Sequence, residues 1–211
     1  MDSACPKEHV TEIKRFWLLN QGRSYYLNVP VISFLQGTLE RREHLFATKF
    51  FWCECRRCKD PTELNTRMSA IRCAGCGIQD GLLPSEPLHA DTAWRCRKCN
   101  YTEPAANVRK FVEKVAAALE GVDQNDANAL EKAVERWSAH LGPSHYLLAG
   151  LHHSLAMLYG RAPGLLPHVL SNKQLSRKAS LCRSLLELVD VVQPGRNSLR
   201  GKRLFFNHWK V

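Results

Sequence analysis

No run of eighteen apolar residues occurs in the 211-residue chain, and its first thirty residues mix charged with apolar types instead of building a hydrophobic stretch before a small-residue cleavage site. A membrane span and a secretory leader are both disfavoured. Acid is scarce relative to base: 20 Asp and Glu stand against 30 Lys and Arg, a formal charge of +10 and a sequence pI of about 9.3. That excess leaves room for acidic partners such as nucleic acid without proving one. Helical periodicity is missing between residues 53 and 99, where Gly75, Gly77, Gly81, Pro84 and Pro87 punctuate the chain. Such a stretch buries too little to fold unaided. What is there, 45% hydrophobic and 24% charged residues, fits soluble globular matter rather than a disordered or fibrous class.

The chemistry concentrates in cysteine. Of nine, at positions 5, 53, 55, 58, 73, 76, 96, 99 and 182, seven fall within 47 residues. Without an export signal the compartment is read as reducing, nuclear or cytoplasmic, and there close cysteines are thiolate ligand sets before they are disulfides. Cys73-x2-Cys76 and Cys96-x2-Cys99, nineteen residues apart, have the spacing of a four-cysteine zinc ribbon, in which two knuckles each deliver two thiolates to one tetrahedral ion. With all four positions filled by protein the expected role is structural. Cys53-x-Cys55-x2-Cys58 supplies three ligands of a second zinc site, one short of a tetrahedron. Cys5, His44 and His89 are the candidates to complete it, each of them equally readable as a packed or solvated side chain. Cys182 sits on a helical stripe and reads as a small buried hydrophobe.

The expected fold is mainly α, an irregular zinc-stabilised segment followed by a helical bundle whose pairs stack in a loosely tetratricopeptide-like way, although no clean repeat signature is present. Tyr25 to Phe34 reads as strand-like, and Thr38 caps a short helix bearing Leu39, Arg41, Arg42 and Leu45. After Pro104 the period becomes 3.6. Asn107 is available as a cap ahead of Val108, Phe111, Val112, Val115 and Leu119; Leu130, Val134, Trp137 and Leu141 form a second stripe; Ser144 can cap a third helix with Leu147, Leu151, Leu155 and Leu158. A fourth helix, from about Ser171 to Val192, carries two apolar rows, one through Leu175, Ala179, Cys182, Leu186 and Val189 and the other through Leu181, Leu185, Leu188 and Val192.

Thr38-Leu39-Glu40-Arg41-Arg42-Glu43-His44-Leu45 and then Phe50-Phe51-Trp52-Cys53-Glu54-Cys55-Arg56-Arg57-Cys58-Lys59-Asp60-Pro61-Thr62-Glu63-Leu64 resemble the end of the SET domain and the post-SET cysteines of SET and MYND domain lysine methyltransferases, most closely the arthropod SmydA type. The resemblance runs from about residue 36 to 201. It implies three parts: residues 1–52 as the remnant of a SET domain end with an atypical start, 53–103 as the cysteine-rich post-SET region, and 104–211 as a C-terminal helical domain. It also implies where chemistry is lacking. The family's S-adenosylmethionine loop, its Asn-His pair and its fourth post-SET cysteine have no counterpart ahead of the match, and Phe34 stands near the expected catalytic tyrosine, with Tyr25 or Tyr26 as the other option. A phenyl ring brings no hydroxyl.

The resulting expectation is a partial gene product, truncated at both ends, with no catalytic or cofactor-binding residue of its own. It binds zinc and a protein partner, a histone or other lysine-bearing peptide, while S-adenosylmethionine belongs to a full-length relative. Two alternatives stand beside it: a helical scaffold, and a zinc-dependent nucleic-acid module using Arg56, Arg57, Arg95, Arg97, Lys98, Trp52 and Trp94. The tail favours the second, with nine Lys or Arg between 173 and 211 against Glu187 and Asp190.

Overall fold

The computed structural model describes residues 35–194. Cys5, Tyr25, Tyr26, Phe34 and the basic residues beyond Pro194 lie outside the described residues. The elements, in chain order, are α1 (Thr38–Lys49), the single turn α2 (Arg56–Lys59), β1 (Leu82–Pro84), β2 (Trp94–Cys96), β3 (Thr102–Glu103), α3 (Ala105–Glu120), α4 (Ala127–Ser138), α5 (Tyr146–Leu158) and α6 (Asn172–Val192). The three strands form an antiparallel sheet in the order β1-β2-β3, with Leu82 opposite Cys96 and Arg95 opposite Thr102. A small cysteine-rich sheet followed by helices is the mainly α architecture that the sequence led us to expect.

The helices form where the stripes predict them, but most begin differently. α3 starts at Ala105 behind Pro104, and Asn107, inside the first turn, donates from Nδ2 to Glu103 Oε1 at 2.6 Å instead of capping. Val108, Val115 and Leu119 of its stripe are buried, while Phe111 and Val112 are half-buried. α4 is capped by Asp126, which accepts from Asn128 N at 2.8 Å. Leu141 belongs to no helix; it is wholly buried in an isolated antiparallel bridge to Ile71.

At α5 the capping residue is His145 and not Ser144. Its Nδ1 accepts from Leu147 N at 3.2 Å, and burial drives its pKa down to about 3, so the ring stays neutral and its Nδ1 lone pair stays available. α6 opens with a capping box between Ser171 and Gln174. Its buried residues are Leu181, Leu185 and Val189, and Ala179 of the other row is exposed, so the buried face is narrower than two full rows. α5 packs against both α4 and α6. Across these helices Arg177 grips Glu131 through Nε at 2.9 Å and Nη2 at 2.8 Å, and the Tyr159 hydroxyl donates to the same carboxylate at 3.2 Å.

The middle third is not left to metal alone. Ile71, Cys73, Leu82, Trp94 and Cys96 share one buried cluster with Val115, Leu119, Leu130, Trp137, Leu151 and Leu155. The sheet therefore rests on the helices, and hydrophobic burial supplies part of the help that residues 53–99 need. A smaller cluster of Leu35, Met68 and Val189, with Tyr146 packed against it, brings the start of α1 to the helical part.

Between α2 and β1 the backbone takes an uncommon path. Glu63, Leu64, Asn65 and Arg67 all have positive φ, between 52° and 64°. For residues with a Cβ this region costs about 1–2 kcal/mol each, so something must hold it. Asp60 accepts from Thr62 N, Thr62 Oγ1 and Leu64 N at 2.7–2.8 Å. Glu63, 1% exposed, turns inward. Its Oε1 accepts from Thr38 N at 2.6 Å, Thr38 Oγ1 at 2.8 Å and Ser69 Oγ at 3.0 Å, and its Oε2 from Ser69 N at 2.7 Å. Thr38 is accordingly the first residue inside α1 and not its cap: Gly37 holds the cap position, and the acceptor for the helix's first N–H comes from 25 residues downstream.

Candidate metal centres

The cysteines gather in two groups, Cys73, Cys76, Cys96 and Cys99 in one and Cys53, Cys55 and Cys58 in the other, with all sulfurs of a group within 4.8 Å of one another. In the first, Cys73 Sγ and Cys99 Sγ are 3.7 Å apart, as are Cys76 Sγ and Cys96 Sγ. A disulfide needs about 2.05 Å. Thiolates at about 2.3 Å from a tetrahedral zinc stand about 3.8 Å from each other. Four soft donors at this spacing are suitable for zinc.

The fold builds this group at one end of the sheet, where Leu82 at the start of β1 lies opposite Cys96 at the end of β2. Cys73 and Cys76 lie on the turn that precedes β1, Cys96 ends β2, and Cys99 lies on the β2–β3 turn. Gly77 has φ +75, and a side chain at Gly75 would come within 3.0 Å of the Tyr101 Cβ, so each glycine of the first knuckle has a reason to be there. Gly81 has a stronger one, which the sequence did not reveal. A Cβ there would overlap Ile78 Cγ2 and stand 3.0 Å from Cys73 Cβ and 3.2 Å from Cys96 Sγ.

Backbone amides serve the sulfurs: Gly75 N donates to Cys73 Sγ at 3.3 Å, and Lys98 N and Cys99 N to Cys96 Sγ at 3.4 and 3.5 Å. Burial works against ionisation of Cys96, yet the Cys99 and Lys98 amides and the neighbouring thiols bring its pKa down to about 6.

In the second group Cys55 Sγ and Cys58 Sγ are 3.7 Å apart. The hydrogen bond with Cys58 is the main reason that Cys55 is pulled down to about 4, and the same bond, with burial, pushes Cys58 up. Among the described residues no fourth donor joins the three. His44 is half-buried, with its pKa lowered by burial, and His89 is exposed and faces Glu86 at 3.8 Å, so neither enters the group. Cys182 is half-buried on α6, away from both sets, and burial pushes its thiol up.

α1 lies over this second group and carries arginine where a core helix would carry leucine. Arg41 Nη1 donates to Cys53 Sγ and Cys58 Sγ, both at 3.7 Å. Arg42, buried, donates from Nε to Cys53 O at 3.0 Å and from Nη1 to Leu88 O, with its guanidinium 5.2 Å from the Trp52 ring centre. Trp52 in turn stacks on Phe46 with ring centroids 4.4 Å apart. Of the cations beside the knuckles, Arg57 is buried and donates to Gln36 O, Arg97 pairs with Asp80 at 3.0 Å, and Trp94 is in the core. Arg56, Arg95 and Lys98 remain exposed at the surface.

No protein-family model matches the chain. Isoform B of the SET domain-containing protein SmydA-8 of Drosophila melanogaster is 38% identical to it over 85 residues, 40% of this chain and 19% of that protein. Isoform A is 36% identical over 77 residues, 36% of this chain and 17% of that protein. The chain is SmydA-like in part. This agrees with the family resemblance read from the sequence, and the chain spans less than a fifth of the length of the curated relatives it matches. Among the described residues no helix is long and apolar enough to cross a membrane.

Proposed function

We propose that this SmydA-like chain is the zinc-binding and protein-interaction part of a SET and MYND type protein-lysine methyltransferase homologue, and that the 211-residue polypeptide does not itself transfer methyl groups. The observations that carry it are the pair of sulfur clusters at metal-ligand spacing and the partial likeness of the chain to SmydA-8. Cys73, Cys76, Cys96 and Cys99 would hold one zinc, and Cys53, Cys55 and Cys58 would contribute three ligands to another. When bound, zinc supplies a cross-link with no redox chemistry of its own.

The chain's own residues do the rest. Four cysteines around the first ion leave no position for a substrate water, so that centre is structural. The amides of Gly75, Lys98 and Cys99 orient and stabilise the thiolates. The helices α3 to α6 brace the sheet through the shared core and would offer the surface for a protein partner, a lysine-bearing peptide such as a histone tail being the class that the family implies. The nucleic-acid reading draws less support, because Arg57, Arg97 and Trp94 are already engaged within the fold.

Metal analysis of the purified polypeptide should find two zinc per chain, and Cys96→Ser should leave one; a metal-free native protein would refute the reading. Incubation with labelled S-adenosylmethionine and histone should transfer no label, and robust transfer would refute the second half of the proposal.

A further inference from the structure

The face of α1 that meets the cysteines is polar. Arg41 and Arg42 are consecutive, yet both reach the same knuckle, one through sulfur and the other through backbone. A half-buried guanidinium directed at two sulfurs gains little from them if they are neutral thiols. It makes good sense if they are thiolates. Three thiolates and a divalent ion leave one uncompensated negative charge, which one guanidinium matches, and an N–H directed at a metal-bound sulfur also withdraws electron density from it.

We propose that Arg41 is the outer-sphere positioning residue of the Cys53, Cys55 and Cys58 centre, compensating its charge and fixing the directions of Cys53 and Cys58, while Arg42 anchors the same turn through its backbone. This rests on the reading that the three cysteines hold a metal. It gives α1 a task that its sequence pattern does not announce, and it makes retention of the second ion depend on a helix that supplies none of its ligands.

The test uses the full chain loaded with cobalt(II), whose sulfur-to-metal absorption reports the thiolates directly. Arg41→Met should weaken retention at one of the two centres by about 10–100-fold in a chelator competition, leave the four-cysteine centre unchanged, and move the charge-transfer band of the affected centre to longer wavelength. Arg41→Lys should recover part of both effects. Arg42→Met should leave the band where it is, because Arg42 does not touch sulfur.

Retention and spectrum of Arg41→Met equal to wild type would overturn the proposal, and so would the same band shift in Arg42→Met. If Arg41→Met does not fold, Arg41→Lys decides alone: a band between wild type and longer wavelength supports the assignment, and an unmoved band overturns it. Wild-type protein that binds a single equivalent of cobalt would overturn the two-centre reading itself, and this proposal with it.

Discussion

Gly81→Ala is the sharpest probe of the four-cysteine sheet, because it adds one carbon at a place where the neighbours differ in freedom. The new Cβ would overlap Ile78 Cγ2 and press on Cys73 Cβ at 3.0 Å and Cys96 Sγ at 3.2 Å. Ile78 is half-buried and can rotate, but the two cysteines are held by the core and, in the proposed state, by an ion. The backbone must therefore move, at a cost of about 1–3 kcal/mol for an overpacked site.

Gly121→Ala is the control, since φ is −80 there and the nearest atom to an added Cβ is 3.9 Å away. Relief of unfolded-state entropy should make that change neutral or stabilising by about 0.4–1 kcal/mol. Urea unfolding of the two variants beside wild type should give opposite signs, and zinc release to a chelator should accelerate only in the first. Equal midpoints for Gly81→Ala and wild type would refute the argument that this glycine exists to let two thiolates approach.

Two further outcomes follow from buried carboxylates. Glu40 is half-buried with a wholly enclosed Oε2, and desolvation raises its pKa to about 7 against the opposing hydrogen bond from Tyr146. The folded state thus favours the protonated acid; its contribution is complete below about pH 4.5 and is lost as pH rises through about 7. Glu40→Gln should then be the more stable protein at pH 8, by about 2 kcal/mol once its partial exposure is allowed for, and equal to wild type near pH 4; parallel pH profiles of the urea midpoint would contradict this. Glu63→Ala strands the Thr38 and Ser69 amides, so it should cost about 3 kcal/mol or more and free α1 to proteolysis, whereas a loss below about 1 kcal/mol would mean that this carboxylate is not the brace described.

The cysteine sets were legible because metal-ligand spacing is local: two knuckles of fixed length place four sulfurs together whatever surrounds them. The helices were legible because Val108, Val115 and Leu119, or Leu147, Leu151 and Leu155, repeat with the helical period. The start of α6 at Ser171 was legible too, but the caps of α1, α3 and α5 were not, and the reason is physical. Capping needs an acceptor and not a particular residue, so Glu63 could serve α1 from a distant turn and His145 could replace Ser144 once burial had fixed it as neutral. The orientation of α1 was hidden for a similar cause. Arginines next to leucines normally mark the solvent side of a helix, and only the thiols opposite explain why Arg41 and Arg42 face inward.

The buried cluster that runs from Ile71 and Trp94 through to Leu155 has a practical outcome for anyone who would dissect the molecule. Scissors placed at residue 103, where the cysteines end and the long helices begin, would pass through shared hydrophobic ground and leave both halves with raw, sticky surfaces. Amide exchange in the intact polypeptide should show the sheet and the helices opening together, as a single cooperative unit, and this segment would be inherited or lost whole.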